Sequence, residues 1–170
     1  MQQILRPFLD RWRLCAVLVA AAMLATAHAF ETFGGYAPCM LCLRQREVYW
    51  AILALGLAFM ILVRTPGGPR WRAATCWVLA LAFALSCAIA VYHAGAEWKF
   101  WPGPQSCSGT RAVSLADMQA FIGGAKFKPP SCEDAAWRML GISMAGYNAA
   151  ISLVLAALSG LAAIREHGKR

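Results

Sequence analysis

The chain has 170 residues, of which 60% are apolar and 14% charged, and its mean hydropathy is +0.53. A typical soluble domain has about 25% charged and about 45–50% apolar residues, so a disordered chain, a coiled coil and a water-soluble enzyme core are disfavoured. The length predicts one domain, residues 1–170. The 16 Lys and Arg residues lie between apolar runs, which favours orientation in a bilayer over nucleic-acid binding.

Four stretches lack Asp, Glu, Lys and Arg, namely residues 14–30, 48–63, 73–96 and 139–164. A helix needs about 20 residues to cross the hydrocarbon of a bilayer, so the second stretch is too short by itself. We extend it back to residues 43–63, with the charged heads of Arg44 and Arg46 reaching into the interface. The sequence therefore predicts an all-α membrane protein, a four-helix transmembrane bundle.

The first span has a second interpretation as a cleaved secretory signal. Arg11 and Arg13 precede an apolar run that ends at Ala27-His28-Ala29, and small residues in this pattern are typical of cleavage sites. The run of 17 residues exceeds the about 7–15 usual for a signal, so we expect it to be retained. Cleavage would leave the orientation of the other three spans unchanged.

The positive charges predict the orientation of the bundle. Residues 1–13, 64–72 and 165–170 hold nine Lys and Arg in 28 residues, whereas residues 31–47 and 97–138 hold seven in 59. The positive-inside rule then places both termini and the turn before the third span in the cytoplasm. Two loops, about residues 31–42 and 97–138, face outward.

A short helix is predicted inside the longer loop. Ser114 reads as its N-cap, Asp117 follows three residues later, and Gly123-Gly124 ends it. Its apolar residues, Leu115, Met118, Phe121 and Ile122, predict that it lies on the membrane surface. The alternative is a helix that only tethers the loop.

The seven cysteines divide into two groups. Cys15, Cys76 and Cys87 lie inside predicted spans, where a buried thiol packs as a small apolar residue and has little reactivity. The other four lie in the outward loops, where disulfides form and persist in an oxidising compartment. They are Cys39, Cys42, Cys107 and Cys132.

The Cys-x-x-Cys of Cys39 and Cys42 stands at the predicted start of the second span. A helix N-terminus stabilises a thiolate through its free N–H groups and its dipole, which suits a redox pair. Arg46 follows Cys42 by four residues and so shares its helix face. Its guanidinium can hold a thiolate or a polarised carbonyl beside the sulfur. Arg44 is expected to be an interfacial anchor, and Gln45 can contribute only hydrogen bonds.

Cys107 and Cys132 lie 25 residues apart in one loop, and a structural disulfide there would contribute about 3–4 kcal/mol. The facing Cys-x-x-Cys instead favours exchange between two neighbouring disulfides, which needs only a thiolate and access. A zinc site is a further alternative, but structural zinc sites usually draw on two closely spaced pairs and only one is present. We therefore predict no metal.

Two of the three histidines, His28 and His93, lie at the outward ends of the first and third spans. They could hold a haem between helices, or each could be an interfacial polar residue. His93 is also expected at the depth of Cys42 and Arg46, where a quinone head group needs hydrogen-bond donors. The chain has no Gly-x-Gly-x-x-Gly, Walker or Cys-x-x-Cys-His motif, so a quinone is the simplest electron acceptor.

Together these motifs resemble the disulfide bond formation protein B (DsbB) family. The motifs are Pro38-Cys39-Met40-Leu41-Cys42 with Gln45-Arg46, Tyr92-His93, Trp101-Pro102-Gly103-Pro104 before Cys107, and Cys132-Glu133 with Trp137. The resemblance covers the chain from the first span to the last. It implies an enzyme of the bacterial inner membrane that uses a quinone, ubiquinone or menaquinone, to reoxidise a periplasmic DsbA-type dithiol oxidase.

The resemblance also implies a role for each site residue. Cys107 would form the mixed disulfide with the partner, Cys132 would pair with it at rest, and Cys39 would exchange with the Cys132 side. Cys42 would face the quinone with Arg46 beside the quinone carbonyl. His93 is carried over as a further quinone-site residue.

Three other functions remain open at this point. A vitamin-K-epoxide-reductase-like protein also joins a membrane Cys-x-x-Cys to a quinone, but there the motif lies late in the bundle. A haem-binding electron carrier would use His28 and His93, and a non-catalytic scaffold would use the loop cysteines as structural disulfides. The sequence specifies neither the quinone, nor the DsbA-type partner, nor the oligomeric state.

Overall fold

The computed structural model describes residues 9, 11–104, 119, 122 and 131–168. Four long helices dominate this part of the chain, and a short antiparallel hairpin precedes the last of them. The helices are α1 (Trp12–Thr32), α2 (Met40–Leu62), α3 (Arg72–Glu97) and α4 (Met144–His167), and the hairpin strands are β1 (Arg138–Met139) and β2 (Ile142–Ser143).

All four helices are long and apolar enough to cross a membrane, the third counted from Gly68 because a 3-10 turn, Gly68–Trp71, leads into α3. The prediction of a four-helix transmembrane bundle is therefore confirmed. Large apolar side chains such as Leu18, Leu81 and Ile164 point outward and are more than half exposed. Helices satisfy their backbone hydrogen bonds internally, so such surfaces can face lipid.

The helices pack in chain order around a core of aliphatic, aromatic and small residues. The closest pairing is α3 with α4, and α2 packs against both α1 and α3. Trp12 of α1 is buried and donates its indole N–H to Ser159 Oγ of α4 at 2.8 Å. The core also contains Ile52 of α2, Phe83 of α3 and Leu155 of α4.

Local sequence explains where the helices start. Cys39 is the N-cap of α2, and its sulfur accepts a hydrogen bond from the Cys42 N–H at 3.3 Å. Ser143 caps α4 in the same way and accepts from the Gly146 N–H at 3.2 Å. The fourth helix begins at Met144, five residues after the predicted start of the span at 139, because the preceding residues form the hairpin. The absence of charged residues predicted the apolar stretch, but it did not predict that its first residues form a hairpin and not a helix.

The turns follow their glycines. Gly67 has φ of +77° in the turn between α2 and α3, where Pro66-Gly67-Gly68-Pro69 occurs. Gly141 has φ of +81° at the hairpin tip, beside Leu140 at +51°. Of the predicted surface helix, Gln119 and Ile122 are helical. Its other residues, Ser114, Leu115, Asp117, Met118, Phe121 and Gly123-Gly124, lie outside the described residues.

Candidate active site

The Cys-x-x-Cys lies where α2 begins, as the sequence predicts. Cys39 and Cys42 are both free thiols, and their sulfur atoms are 3.0 Å apart. Cys39 is 5% exposed, whereas Cys42 is half-buried at the first turn. A spacing of three residues at the start of a helix brings the two sulfurs together. This proximity is required of a pair that alternates between dithiol and disulfide.

The surroundings of Cys39 stabilise its thiolate. The pKa of the Cys39 thiol is lowered from 9.0 to about 4, mainly by the hydrogen bond with the Cys42 side chain. His93 lowers the pKa further through a hydrogen bond and a charge interaction, and the Cys42 backbone N–H adds a smaller hydrogen bond. Burial of the thiol acts the other way. A thiol with a low pKa is ionised at neutral pH and can attack a disulfide. Stabilising the thiolate also stabilises the reduced pair, which makes the disulfide form a better oxidant.

His93 connects α3 to this pair. It is 3% exposed, and its Nε2 lies 3.5 Å from Cys39 Sγ. On the same helix, Glu97 Oε1 lies 3.7 Å from Nε2. Glu97 is also buried and accepts a hydrogen bond from the Ser143 hydroxyl at the start of α4. The Cys39 thiol and the Glu97 carboxyl group therefore both lie next to the His93 imidazole.

A chain of buried hydrogen bonds leads from His93 into the bundle. Gln45 Nε2 lies 2.9 Å from His93 Nδ1, and its Oε1 accepts from Asn148 Nδ2 at 2.5 Å. Asn148 Oδ1 accepts from the Tyr49 hydroxyl at 2.7 Å, and Tyr49 contacts Ser152 Oγ at 3.0 Å. Because polar groups are costly to leave unpaired in an apolar environment, this chain holds α2, α3 and α4 in one arrangement around His93.

Arg46 is held by α1. Its guanidinium forms an ion pair with Glu31 and donates to the Ala27 carbonyl at 3.1 Å. Arg46 lines the same cavity as Cys42, which lies one helical turn before it in the chain. Arg44 instead is exposed and pairs with Glu47 at 2.8 Å, in keeping with an interfacial position.

One cavity of about 610 Å³ joins these groups. Its polar wall contains Cys39, Cys42, Arg46, His93 and Glu97. Much of the rest is apolar, with Met23, Leu24, Phe30, Ala145 and Ile151 among the lining residues. A largely apolar cavity of this size with a few converging polar groups is typical of a small-molecule or cofactor site.

Cys132 lies against the same pair from the long loop. It is fully buried, disulfide-bonded, and packs in one cluster with Cys39. Glu133 fastens this part of the loop, since its carboxylate accepts from the Gly103 N–H at 2.8 Å and lies 3.5 Å from Lys99 Nζ. Cys107, the other cysteine predicted in the long loop, lies outside the described residues.

The ligand atoms of Cys39, Cys42 and His93 lie within 4.8 Å of one another. A soft metal ion would accept that spacing, but a bound cation would block sulfur exchange. The expectation of no metal at this cluster stays a prediction.

His28 and the three span cysteines lie away from this cluster. His28 is exposed, with its ring centroid 6.4 Å from that of Trp50, and is not among the described residues that line the cavity with His93. Cys76 is buried in the main core, Cys15 packs against it, and Cys87 contacts the Ala149 carbonyl at 3.5 Å. The structure thus separates the span cysteines from Cys39 and Cys42.

Sequence reasoning missed four groups that shape the site: Glu31, Tyr49, Glu97 and Asn148. Polar and ionisable residues within membrane helices are rare and often functional, so Asn148 inside a predicted span was a usable signal. Glu97 stood just past the end of a charge-free stretch and looked like a boundary residue. The partner of Arg46 had no sequence signal, because Glu31 lies in another helix.

The sequence of this chain is similar to known proteins over most of its length. The family model of disulfide bond formation protein DsbB matches residues 10–162. Disulfide bond formation protein B 2 of Pseudomonas putida is 33% identical over 84% of this chain and 83% of its own length. Disulfide bond formation protein B of a Shewanella species is 29% identical over 74% and 70%, respectively. An uncharacterized protein of Rickettsia prowazekii is 25% identical over 89% of this chain and 88% of its own length.

Proposed function

This chain belongs to the DsbB family of disulfide bond formation proteins, and from that premise we propose that it is an inner-membrane thiol:quinone oxidoreductase. Family membership implies a membrane enzyme that generates disulfides. The fuller proposal is that it reoxidises a periplasmic DsbA-type dithiol oxidase. Two electrons pass through two cysteine pairs to the membrane quinone pool.

The observation that carries this proposal is the packing of Cys132 against Cys39. Cys132 is disulfide-bonded and fully buried, and Cys39 in the same cluster has a low thiol pKa of about 4. Exchange requires a thiolate within reach of a disulfide sulfur. This packing supports the proposal that one couple oxidises the other.

The direction of transfer follows from the proposed roles. The dithiol partner would attack at Cys107, and Cys132 would be released as a thiol that exchanges with the Cys39 side. The pair of Cys39 and Cys42 would then hold both electrons as a dithiol. Its reoxidation completes the cycle and requires an acceptor that is not a thiol.

The cavity suits a quinone at that step. Arg46 and His93 present donors, and Cys42 lies on the same wall as both. The apolar lining from α1 and α4 matches the ring and the start of a lipid tail. A bound quinone supplies an acceptor for two electrons and two protons. In this proposal Arg46 would lie beside a quinone carbonyl and Cys42 beside the ring.

The proposed orientation supports contact with both partners. The residues between α1 and α2, the end of α3 and the hairpin before α4 meet at one end of the bundle, where the cysteines lie. We place this end on the periplasmic side and both termini in the cytoplasm, from the distribution of Lys and Arg. The soluble partner would then reach the loop and the quinone would enter from the bilayer.

The decisive test is whether the purified protein, given a quinone, oxidises a reduced DsbA-type dithiol. We expect turnover with the wild-type chain, none with Cys42→Ser, and near wild-type turnover with Cys87→Ser as the matched control. A thiolate–quinone charge-transfer band that disappears in Cys42→Ser would support the assignment of Cys42. Failure of the wild-type protein with both ubiquinone and menaquinone would contradict the function and favour the scaffold interpretation.

A further inference from the structure

Asn148 is a buried polar residue of α4 to which the proposed electron path assigns no role. It lies inside a membrane-spanning helix, one turn after the helix begins at Met144, and it is 7% exposed. A polar group in an apolar environment is costly unless it is hydrogen-bonded, and polar residues inside membrane helices often have a function. The hydrogen bonds of Asn148 therefore indicate which part of the site it serves.

Contacts from α2 and α4 hold the amide of Asn148 in place. Its Oδ1 accepts a hydrogen bond from the Tyr49 hydroxyl at 2.7 Å and one from the Ser152 hydroxyl at 3.3 Å. Its Nδ2 donates to Gln45 Oε1 at 2.5 Å. Tyr49 and Ser152 are both buried, so these bonds are shielded from water. Asn148 thus holds the side of the Gln45 amide that faces away from His93.

Gln45 carries this constraint to His93. Its Nε2 lies 2.9 Å from His93 Nδ1, and both side chains are buried. Gln45 also lines the cavity, so an amide that Asn148 did not hold would have space in which to rotate away from the ring. The contact specifies the position of the ring and not its charge, because an amide carries both a donor and an acceptor.

The other ring nitrogen of His93 has two neighbours. Nε2 lies 3.5 Å from Cys39 Sγ and 3.7 Å from Glu97 Oε1. An imidazole rotates about its Cβ–Cγ bond with only a broad preference, so a ring without a partner at Nδ1 can turn away from the sulfur. With Nδ1 held by Gln45, Nε2 stays beside Cys39.

We propose that Asn148, acting through Gln45, positions the His93 ring so that Nε2 stays beside the redox pair. Asn148 touches neither sulfur, so it is a positioning residue. Without it the Cys39 thiolate would lose a hydrogen-bond partner, and a less stable thiolate is present in a smaller amount for exchange. The inference rests on the proposed function only in treating Cys39 as the sulfur that exchanges with the long loop.

Other ionisable groups also lie near the redox pair. Among the described residues, those that line the same cavity are Cys42, Arg46, Glu97, Asp134 and the phenols of Tyr36, Tyr49 and Tyr147. Cys132, which packs on Cys39, is disulfide-bonded and does not titrate. Substitution of Asn148 or Gln45 removes none of these groups, so a change in the ionisation of Cys39 would report the position of the imidazole.

The first test measures the pH profile of Cys39 alkylation in reduced, quinone-free protein by mass spectrometry. We expect Asn148→Leu to raise the midpoint by about one to two pH units, which is the effect of losing one hydrogen bond to a charged group. Ser159→Ala is the matched control, because Ser159 is also buried on α4 and bonds another helix at Trp12. Its midpoint should equal that of the wild type. An unchanged midpoint in Asn148→Leu would overturn the inference.

The second test separates positioning from a general loss of structure. Adding Asn148→Leu to His93→Phe should leave the midpoint of His93→Phe where it is, because the imidazole through which Asn148 acts is already gone. A further rise in the double variant would overturn the inference. Gln45→Met keeps Asn148 bonded to Tyr49 and should raise the midpoint as Asn148→Leu does, so it gives the same test if Asn148→Leu does not fold.

These measurements are independent of the proposed function. A wild-type protein that oxidises no DsbA-type dithiol with either quinone would refute the proposed function, and the alkylation profiles would still decide the role of Asn148. Normal turnover of the wild type together with equal midpoints in the wild type, Asn148→Leu and Gln45→Met would instead overturn the inference alone.

Discussion

Two buried cysteines lie at opposite ends of the bundle, Cys39 before α2 and Cys76 near the start of α3. Each has a nitrogen donor: His93 Nε2 lies 3.5 Å from Cys39, and Arg13 Nη1 lies 3.4 Å from Cys76. Burial and a nearby donor therefore do not distinguish a reactive thiol from a packed one.

Three other features distinguish Cys39. It caps a helix, it has a second sulfur at 3.0 Å, and it opens into a cavity. Cys76 is instead enclosed among core side chains. A redox-active thiol therefore requires a partner sulfur and access to a cavity. This conclusion can be tested with variants at either end of the bundle.

The largest expected effect is loss of the partner sulfur. Cys39→Ser should abolish quinone-linked oxidation of a DsbA-type dithiol, because no disulfide can form with Cys42. Cys76→Ser should retain at least about half of the activity, since its small side chain only fills space in the core. Turnover assays on both purified variants provide the measurement. Equal losses in the two variants would show that the comparison is false.

The second prediction concerns pH. The pKa of Cys39 is lowered from 9.0 to about 4, so its ionisation stabilises the folded, reduced protein. That contribution is complete above pH 9, and it is lost as the pH falls through about 4. Alkylation of Cys39 in the reduced protein, located by mass spectrometry, should therefore show a midpoint near pH 4.

A control variant identifies the source of this shift. His93→Phe removes the imidazole donor and should raise the midpoint, because His93 is one of the groups that lower the pKa. The matched position at the other end, Arg13→Leu, should leave the Cys39 profile unchanged. A wild-type midpoint near 9 would contradict the proposed thiolate.

The smallest expected effect separates packing from chemistry. A Cβ added at Gly56 would collide with Val17 Cγ2, so Gly56→Ala should push α1 and α2 apart. We expect a loss of about 1–3 kcal/mol in unfolding free energy. At Gly160 the nearest atom is 3.9 Å away, on Trp77, so Gly160→Ala should be neutral or slightly stabilising. Thermal unfolding in detergent compares them, and equal stability would contradict the close packing of α1 on α2.

Much of the architecture was predictable because membrane insertion depends on local composition. Charge-free runs located all four helices, and the position of the Cys-x-x-Cys after Pro38 located the start of α2. Extending the second span back through Arg46 also agreed with the structure, in which α2 starts at Met40. The start of α4 was less accessible, since hairpin residues 139–143 are as free of charge as the first residues of the helix that follows.

The candidate site was predictable only in part. His93 was expected at the depth of Cys42 and Arg46, and the ligand atoms of His93, Cys39 and Cys42 lie within 4.8 Å of one another. The attachment of Arg46 to Glu31 and the hydrogen-bonded chain through Asn148 were not expected. These contacts join residues from different helices, and their spacing along the chain carries no sign of the pairing.

The amino-acid sequence alone determined that the chain crosses the membrane four times and that a sulfur pair begins the second crossing, because length, hydropathy and helix-start chemistry act over a few neighbouring residues. Only the tertiary structure decided which groups meet that pair. Cys132 packs on Cys39, and His93 and Glu97 face it from α3. The physical reason is that contacts between helices depend on their rotation and register, which are set by packing across the whole bundle.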